Sequence, residues 1–353
     1  MKGKKYITGI QQIGVGVEDV NAAFDWYRKN FGMDVVAFDE KAVAELMLPY
    51  TEGEKRERHA MLALNFQGGG GFEIWQHTGK KPSPIGFEAA LGDIGIYIAK
   101  MKTADVKNSF EKFKTAGLNL LGEPVNDPAG TPFFFVKDPY GNIFQFVEEK
   151  EIYSGTDGHS GGVYGAVVGV SNLEESLKVY QDILEYNEVV YDETGVFDDL
   201  KTLPGGNAKV RRVLLKHSKS RHGSFAPFFG PTRIELVQLV DKQGKKLFEN
   251  RIWGDPGFIH LCFDTIGIDR LKTEVESKGF PFTVDSAESF DMGEAAGRFA
   301  YISDPDGTPI EFVETHKLPI IKKLGWYMNL KGRDPHKSLP RWMINTLKWK
   351  RRK

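Results

Sequence analysis

A strand is predicted at Phe258-Ile259-His260-Leu261-Cys262-Phe263. Side chains alternate between the two faces of a strand, so His260 stands on one face and the other face is wholly apolar. A second predicted strand follows the turn Asp304-Pro305-Asp306-Gly307 and presents Glu311 between apolar neighbours. A buried carboxylate is costly without a partner. If these strands share a sheet, a divalent cation is the partner that satisfies both His260 and Glu311.

Length, net charge and cysteine content indicate which kinds of protein this chain can be. A chain of 353 residues is long enough for about two domains and a sizeable core. Its formal net charge is -1, so no whole-protein field favours nucleic acid, and we expect no nucleic-acid partner. A single cysteine excludes an internal disulfide framework. No stretch is long and apolar enough to span a bilayer, and we expect a cytoplasmic location.

The pattern of predicted elements repeats along the chain. A strand at Ile10–Val17 precedes an amphipathic helix that begins after Asp19 and ends at Gly32, and three further strands complete a β-α-β-β-β unit. The unit recurs from Ile94, and it restarts after a Ser- and Gly-rich linker, so the chain is an internal duplication whose halves are each doubled. These patterns divide the chain into residues 1–150, a linker at 151–162, residues 163–316 and a basic tail at 317–353.

These motifs resemble the vicinal oxygen chelate superfamily, which includes glyoxalase I, bleomycin-resistance proteins and extradiol dioxygenases. The resemblance is carried by the repeated helix starts with an aromatic-Tyr pair, by the strand around His260, and by two Asp-Pro-x-Gly turns that lead into Gln145 and Glu311. It implies an α+β fold of four βαβββ modules forming two tandem glyoxalase-like domains. Function does not follow from it, because the fold hosts many chemistries.

The resemblance also implies metal ligands on the first and last strands of each module. In the second half these positions hold Gly165, Glu235, His260 and Glu311, of which three can coordinate a metal. The first half offers only oxygen donors, which are Gln12, Glu73, Asp93 and Gln145. Because transition metals favour imidazole, we predict the site in the second half, with Glu235, His260 and Glu311 as ligands to Fe, Zn, Mn, Ni or Co.

Three functions are compatible with these residues. The first is a metal-dependent lyase or isomerase that acts on a small substrate with vicinal oxygens through a metal-stabilised enediolate, with Glu311 and Glu235 as ligands or base. The second is an Fe(II) extradiol dioxygenase. The third is a non-catalytic small-molecule binder of the bleomycin-resistance type, with Phe225, Phe228, Phe229 and Trp253 as candidate lining residues.

Several histidines lie outside the ligand positions. A dioxygenase centre needs two histidines and one carboxylate, so His217, His222 or His159 would have to replace Gly165. His217 and His222 also flank a basic loop that could contact an anionic group of the substrate, and a solvated loop is the alternative.

The tail is strongly basic. Leu339, Trp342, Met343 and Leu347 fall on one face of a predicted helix whose end is crowded with cations. Such a helix could lie on an anionic membrane surface, but we favour docking of its apolar face onto the chain's own domains or a second subunit. Whether the modules pair within one chain or across a homodimer stays open.

Overall fold

The computed structural model describes residues 4–155, 160–287, 290–291, 296–321 and 326–352. The first module has β1, α1, β2, β3 and β4 at Tyr6–Gly16, Val20–Phe31, Val35–Ala44, Arg56–Leu64 and Gly71–His77. The second has β5, α2, β6, β7, β8 and β9 at Gly95–Thr103, Val106–Thr115, Asn119–Leu120, Val125–Asn126, Pro132–Lys137 and Ile143–Glu148. The α+β class and the four modules are thereby confirmed.

The other half has the same layout. The third module has β10, α3, β11, β12, α4 and β13 at Val163–Gly169, Leu173–Tyr180, Glu188–Gly195, Val210–Lys216, Ala226–Phe229 and Arg233–Leu239. The fourth has β14, α5, β15, β16, β17 and β18 at Gly257–Ile266, Ile268–Ser277, Val284–Asp285, Phe290–Asp291, Ala296–Ser303 and Pro309–Ile321. Strand β19 at Trp326–Asn329 and helix α6 at Arg341–Asn345 complete the described elements.

The helix ends follow local chemistry. The Asp19 carboxylate accepts hydrogen bonds from the backbone N–H groups of Asn21 and Ala22, which satisfies donors that the first turn of α1 leaves free. Gly32 ends that helix in a left-handed conformation with φ of 66°. Both boundaries were predicted from the sequence.

The modules pair crosswise. Sheet A has the order β15-β17-β18-β14-β1-β4-β3-β2, so it joins the fourth module to the first through the antiparallel pair β1–β14. Sheet B has the order β11-β12-β13-β10-β5-β9-β8-β6 and joins the third module to the second through β10–β5. The proposed ranges 1–150 and 163–316 therefore describe sequence repeats, and neither of them contains a complete sheet.

Two buried tyrosines connect the sheets. Tyr27 on α1 donates a hydrogen bond to Asp138 Oδ2 at 2.6 Å, and Tyr180 on α3 donates to Asp304 Oδ2 at 3.1 Å. Each aspartate also accepts backbone N–H groups of its own Asp-Pro-x-Gly turn. The same contact thus occurs twice: a tyrosine from a helix that belongs to one sheet's modules is hydrogen-bonded to a hairpin turn of the other sheet.

We expect Tyr27→Phe to lower the free energy of unfolding by about 1.5–3 kcal/mol, because it removes a hydrogen bond to a buried carboxylate. Urea denaturation measures the change through the midpoint at constant slope. Tyr140→Phe is the control, since the Tyr140 hydroxyl has no hydrogen bond within the described part of the chain and should cost little. Equal effects of the two substitutions would contradict the proposed role of Tyr27.

The C-terminal tail packs on the chain's own body. Leu339 and Ile344 are buried in an apolar cluster that includes Phe66 and Phe228. Beyond α6, Arg351 forms a backbone bridge to Val35 at the start of β2. Docking of the tail's apolar face follows the interpretation favoured from the sequence. Trp342 was expected on that face but is 59% exposed, and Ile344 takes the buried place.

Candidate metal centre

Three acidic and imidazole side chains converge on one face of sheet A. His260 on β14 lies between Glu73 on β4 and Glu311 on β18, with His260 Nε2 at 3.3 Å from Glu73 Oε2 and 3.1 Å from Glu311 Oε2. One potential ligand atom from each residue lies within 4.8 Å of the others. Within the described ranges, no other group of three or more His, Cys, Asp or Glu meets this criterion. Strand alternation and the registers of β1, β4, β14 and β18 bring these side chains together.

Gln12 on β1 completes a set of four. Its Nε2 lies 3.3 Å from Glu73 Oε2 and 3.4 Å from Glu311 Oε2, and its Oε1 is buried without a hydrogen-bond partner. The two ends of an amide are interchangeable by rotation, which would turn Oε1 toward the carboxylates. One imidazole nitrogen, two carboxylates and an amide oxygen form a donor set suited to a divalent metal.

The buried polar atoms of this set fit a cation. Both ring nitrogens of His260 are buried, and neither makes a well-aligned hydrogen bond within the described residues. Two carboxylates held this close would repel each other unless positive charge lay between them. Burial alone lowers the pKa of His260, but the Glu311 and Glu73 carboxylates beside the ring raise it to about 9. Without a metal, the imidazolium therefore supplies the positive charge.

The imidazole ring is held mainly by packing. Trp253 stacks on His260 with an interplanar angle of 13° and a centroid distance of 5.9 Å, and Tyr301 meets it edge-on at 5.6 Å. The ring also approaches Gly14, where an added Cβ would lie 2.5 Å from His260 Cε1 and Nδ1. Contacts with the two aromatic rings and with the Gly14 backbone thus fix the plane of the imidazole. In most metal sites a hydrogen bond to the imidazole nitrogen that does not bind the metal has this role.

We expect Gly14→Ala to displace His260 and to weaken metal binding by more than about tenfold, the lower end of the effect of a lost supporting contact. Isothermal titration with Mn²⁺ measures this. Gly117→Ala is the control for a glycine substitution as such, because a Cβ there would contact nothing, although its left-handed φ of 71° carries some strain. Unchanged affinity in Gly14→Ala would show that the ring can move without loss of the site.

Sheet B carries the same strand positions with different residues. By register, Gly165, Glu235, Ile98 and Gln145 correspond to Gln12, Glu73, His260 and Glu311. Any Cβ at Gly165 would collide with the carbonyl of Arg233, so no ligand fits there. Asp93, which was assigned to the third position, instead accepts backbone N–H groups of Ala90 and Lys245 in a loop. Ile98 has no donor atom.

A lysine supplies the positive charge in sheet B. Lys100 Nζ lies 2.5 Å from Gln145 Oε1 and 2.7 Å from Glu235 Oε2. Arg212 Nε donates to Glu235 Oε1 at 2.7 Å, and the same guanidinium pairs with Asp199. Burial raises the pKa of Glu235, but Arg212 and Lys100 together hold it at about 2. Glu235 is thus an internal ion-pair partner, distant in the fold from His260 and Glu311.

The other predicted site residues lie elsewhere. His217 is stacked on Tyr186 and bonded to the Leu184 carbonyl, and burial lowers its pKa to about 3. His222 packs against His336 of the tail. His159 lies outside the described residues. Of the candidate lining aromatics, Phe228 and Phe229 are buried with the tail, Phe225 packs against that cluster, and Trp253 reaches the site.

The glutamate that lies beside His260 and Glu311 is Glu73, from the half in which we predicted no site. The sequence contained a signal for this. The second half lacks a first ligand at Gly165 and the first half lacks an imidazole, so only the combination of Gln12 and Glu73 with His260 and Glu311 gives four donors that include an imidazole.

Comparison with known proteins agrees with this architecture. A family model described as Glyoxalase/Bleomycin resistance protein/Dioxygenase superfamily matches residues 9–146 and 165–312. The chain belongs to this superfamily. One matched segment lies within each of the two sequence repeats, and the resemblance inferred from the motifs is confirmed.

Solved structures share the fold of this superfamily member. Glyoxalase I from Zea mays aligns with 15% identity and a TM-score of 0.52, covering 88% of this chain and 92% of the other. A putative dioxygenase from Bacillus subtilis aligns with 14% identity and a TM-score of 0.59, covering 88% and 86%. A search of curated proteins found no match. At these identities the likeness establishes the fold alone.

Proposed function

We propose that this protein is a metal-dependent enzyme that moves a proton on a small substrate carrying two vicinal oxygens, as a lyase or isomerase does. The observation that carries the proposal is the set of Gln12, Glu73, His260 and Glu311 around one point on sheet A. A bound divalent cation would supply Lewis acidity there, which favours negative charge on the two oxygens of the substrate.

The residues of the chain would divide the work as follows. His260 and Gln12 provide neutral donors from the central strands, and Glu73 and Glu311 flank them on β4 and β18. A carboxylate that is both a ligand and within reach of the substrate can accept a proton from carbon and return it to the neighbouring carbon. Trp253 and Tyr301 pack around His260 and shield this side of the site from water.

All four residues belong to one chain, so the site needs no second subunit for its ligands. One imidazole and two carboxylates differ from the two histidines and one carboxylate typical of Fe(II) dioxygenases. This difference favours proton transfer over ring cleavage. Among the described residues, no helix is long and apolar enough to cross a membrane.

Metal binding should depend on pH. His260 must lose its proton to become a ligand, and its pKa in the metal-free site is about 9. Below that value each unit of pH should weaken the apparent affinity by about tenfold, because one proton competes with the metal. Titration with Mn²⁺ at pH 6, 7 and 8 measures how the apparent affinity changes with pH. An affinity that does not change over this range would contradict proton displacement from His260.

The proposed function is tested in two steps. Elemental analysis of protein purified without chelators, or reconstituted with Mn²⁺, Zn²⁺, Fe²⁺, Co²⁺ or Ni²⁺, should give close to one equivalent. The loaded protein is then incubated in D₂O with hemithioacetals of 2-oxoaldehydes or with 2-substituted acyl thioesters. Metal-dependent deuterium incorporation next to the carbonyl, lost in His260→Ala, is the expected result. Oxygen uptake with a catechol, or no metal at all, would overturn the proposal in favour of a dioxygenase or a binder respectively.

A further inference from the structure

The helical end of the tail presents two tryptophans to solvent. Trp342 is 59% exposed and Trp349 is 77% exposed, the two highest values among the large hydrophobic side chains of the described residues. They lie seven residues apart, on α6 and on the 3-10 turn at Thr346–Lys350 that follows it, so they fall close to one side of this segment. The opposite side is buried through Ile344. Large apolar side chains held outward in this way mark an interaction surface.

Cations surround these tryptophans. Residues 341–352 contain five Lys or Arg and no Asp or Glu. Over residues 317–353 there are twelve cations and one aspartate, a charge of +11. The whole chain has a formal charge of -1, so residues 1–316 carry -12. The protein is therefore strongly polarised, with its positive charge gathered in the tail.

Specific contacts anchor the positive end to the body. Arg351 Nε lies 3.3 Å from Asp34, and Arg352 Nη1 lies 2.9 Å from Asp39. Lys350 Nζ donates to the Ala37 carbonyl at 3.1 Å. Lys348 lies over the ring of Phe66 at 4.6 Å while remaining exposed. The Arg341 guanidinium also donates to the Tyr153 carbonyl and packs over the Tyr153 ring at 4.8 Å. Together these contacts fix the inner side of the segment and leave Trp342 and Trp349 outward, with Arg341 and Lys348 still exposed beside them.

We propose that this face, formed by Arg341, Trp342, Lys348 and Trp349, binds the surface of an anionic lipid bilayer. Tryptophan favours the boundary between headgroups and acyl chains, where its ring is half buried and its N–H stays hydrated. Lysine and arginine beside it are attracted to anionic headgroups over about a Debye length. The acidic body is repelled from the same surface, so the charge asymmetry orients the molecule with its tail toward the lipid.

Sedimentation with vesicles tests this proposal on the full chain. Vesicles of phosphatidylcholine with 30% phosphatidylglycerol are compared with pure phosphatidylcholine at low and high salt. We expect binding to the anionic vesicles alone, weakened by salt, with a blue shift of tryptophan fluorescence. Trp342→Ala/Trp349→Ala and, separately, Arg341→Glu/Lys348→Glu should each reduce partitioning at least about tenfold.

The matched control is Val43→Ala/Leu46→Ala, which removes two apolar side chains that are 45% and 46% exposed, one near the other end of β2 and one just beyond it. It should partition like the parent protein. Failure of the parent to bind anionic vesicles, or equal binding of the tryptophan variant, would overturn the proposal. Light scattering tests the alternative that a second copy of the chain occupies this face. A parent dimer that dissociates in the tryptophan variant would assign the face to that second copy. None of these outcomes depends on the metal site.

Discussion

Glu73→Gln is expected to weaken metal binding by more than about 100-fold, while Glu235→Gln leaves one equivalent of metal bound. The two glutamates occupy equivalent strand positions in sheets A and B, so strand position alone does not separate them. Glu73 lies 3.3 Å from His260, whereas Glu235 is saturated by Lys100, Arg212 and Tyr191. The negative charge of Glu235 is already compensated by two cations, so this carboxylate is a poor ligand for a metal.

The comparison is made by titration of Mn²⁺ into the parent protein, Glu73→Gln, Glu235→Gln and His260→Ala, with His260→Ala as the reference for a lost ligand. The two Gln substitutions are chemically identical, so any difference reports the surroundings. Thermal melting checks that each variant is folded at the temperature of the titration. Loss of metal in Glu235→Gln with retention in Glu73→Gln would place the site in sheet B and exclude Glu73 as a ligand.

Local features of the chain could be predicted because they depend on nearby residues. Asp19 and Gly32 bound α1 through hydrogen bonds and a backbone conformation that involve only neighbours. The strand around His260 follows from alternation, and the duplication follows from repeated motifs. Such signals place elements along the chain, but they leave open which elements become neighbours in space.

The pairing of modules could not be predicted in this way. Strand β1 could pair with β5 of the second module or with β14 of the fourth, and nothing local to β1 specifies β14 over β5. That choice decides whether Glu73 or Glu235 joins His260. The roles of Lys100 and Arg212 were missed for a related reason, since both act on Glu235, which lies 135 positions from Lys100 and 23 positions from Arg212.

Lys100→Met is expected to lower the free energy of unfolding by about 3–5 kcal/mol, the usual effect of removing one partner from a buried ion pair. Lys100 and Glu235 are both almost completely buried, so the remaining carboxylate would lose the ammonium at 2.7 Å without access to water. Methionine preserves most of the lysine's length and apolar stem, so the change in packing is small. Urea denaturation at pH 7 measures the loss.

The double variant Lys100→Met/Glu235→Gln separates charge from packing. Neutralising both partners should recover part of the lost stability, although Arg212 then keeps only Asp199 as its anionic partner. In the single variant the pKa of Glu235 should rise from about 2, since one of the cations that lower it is gone. As the pH falls toward 4, Glu235 stays ionised and paired in the parent, whereas in the variant it takes up a proton and its unfavourable buried charge is removed. The difference in the free energy of unfolding between parent and variant should therefore shrink as the pH falls toward 4. A loss under about 1 kcal/mol, or one independent of pH, would mean that Lys100 does not take the place of a cation in sheet B.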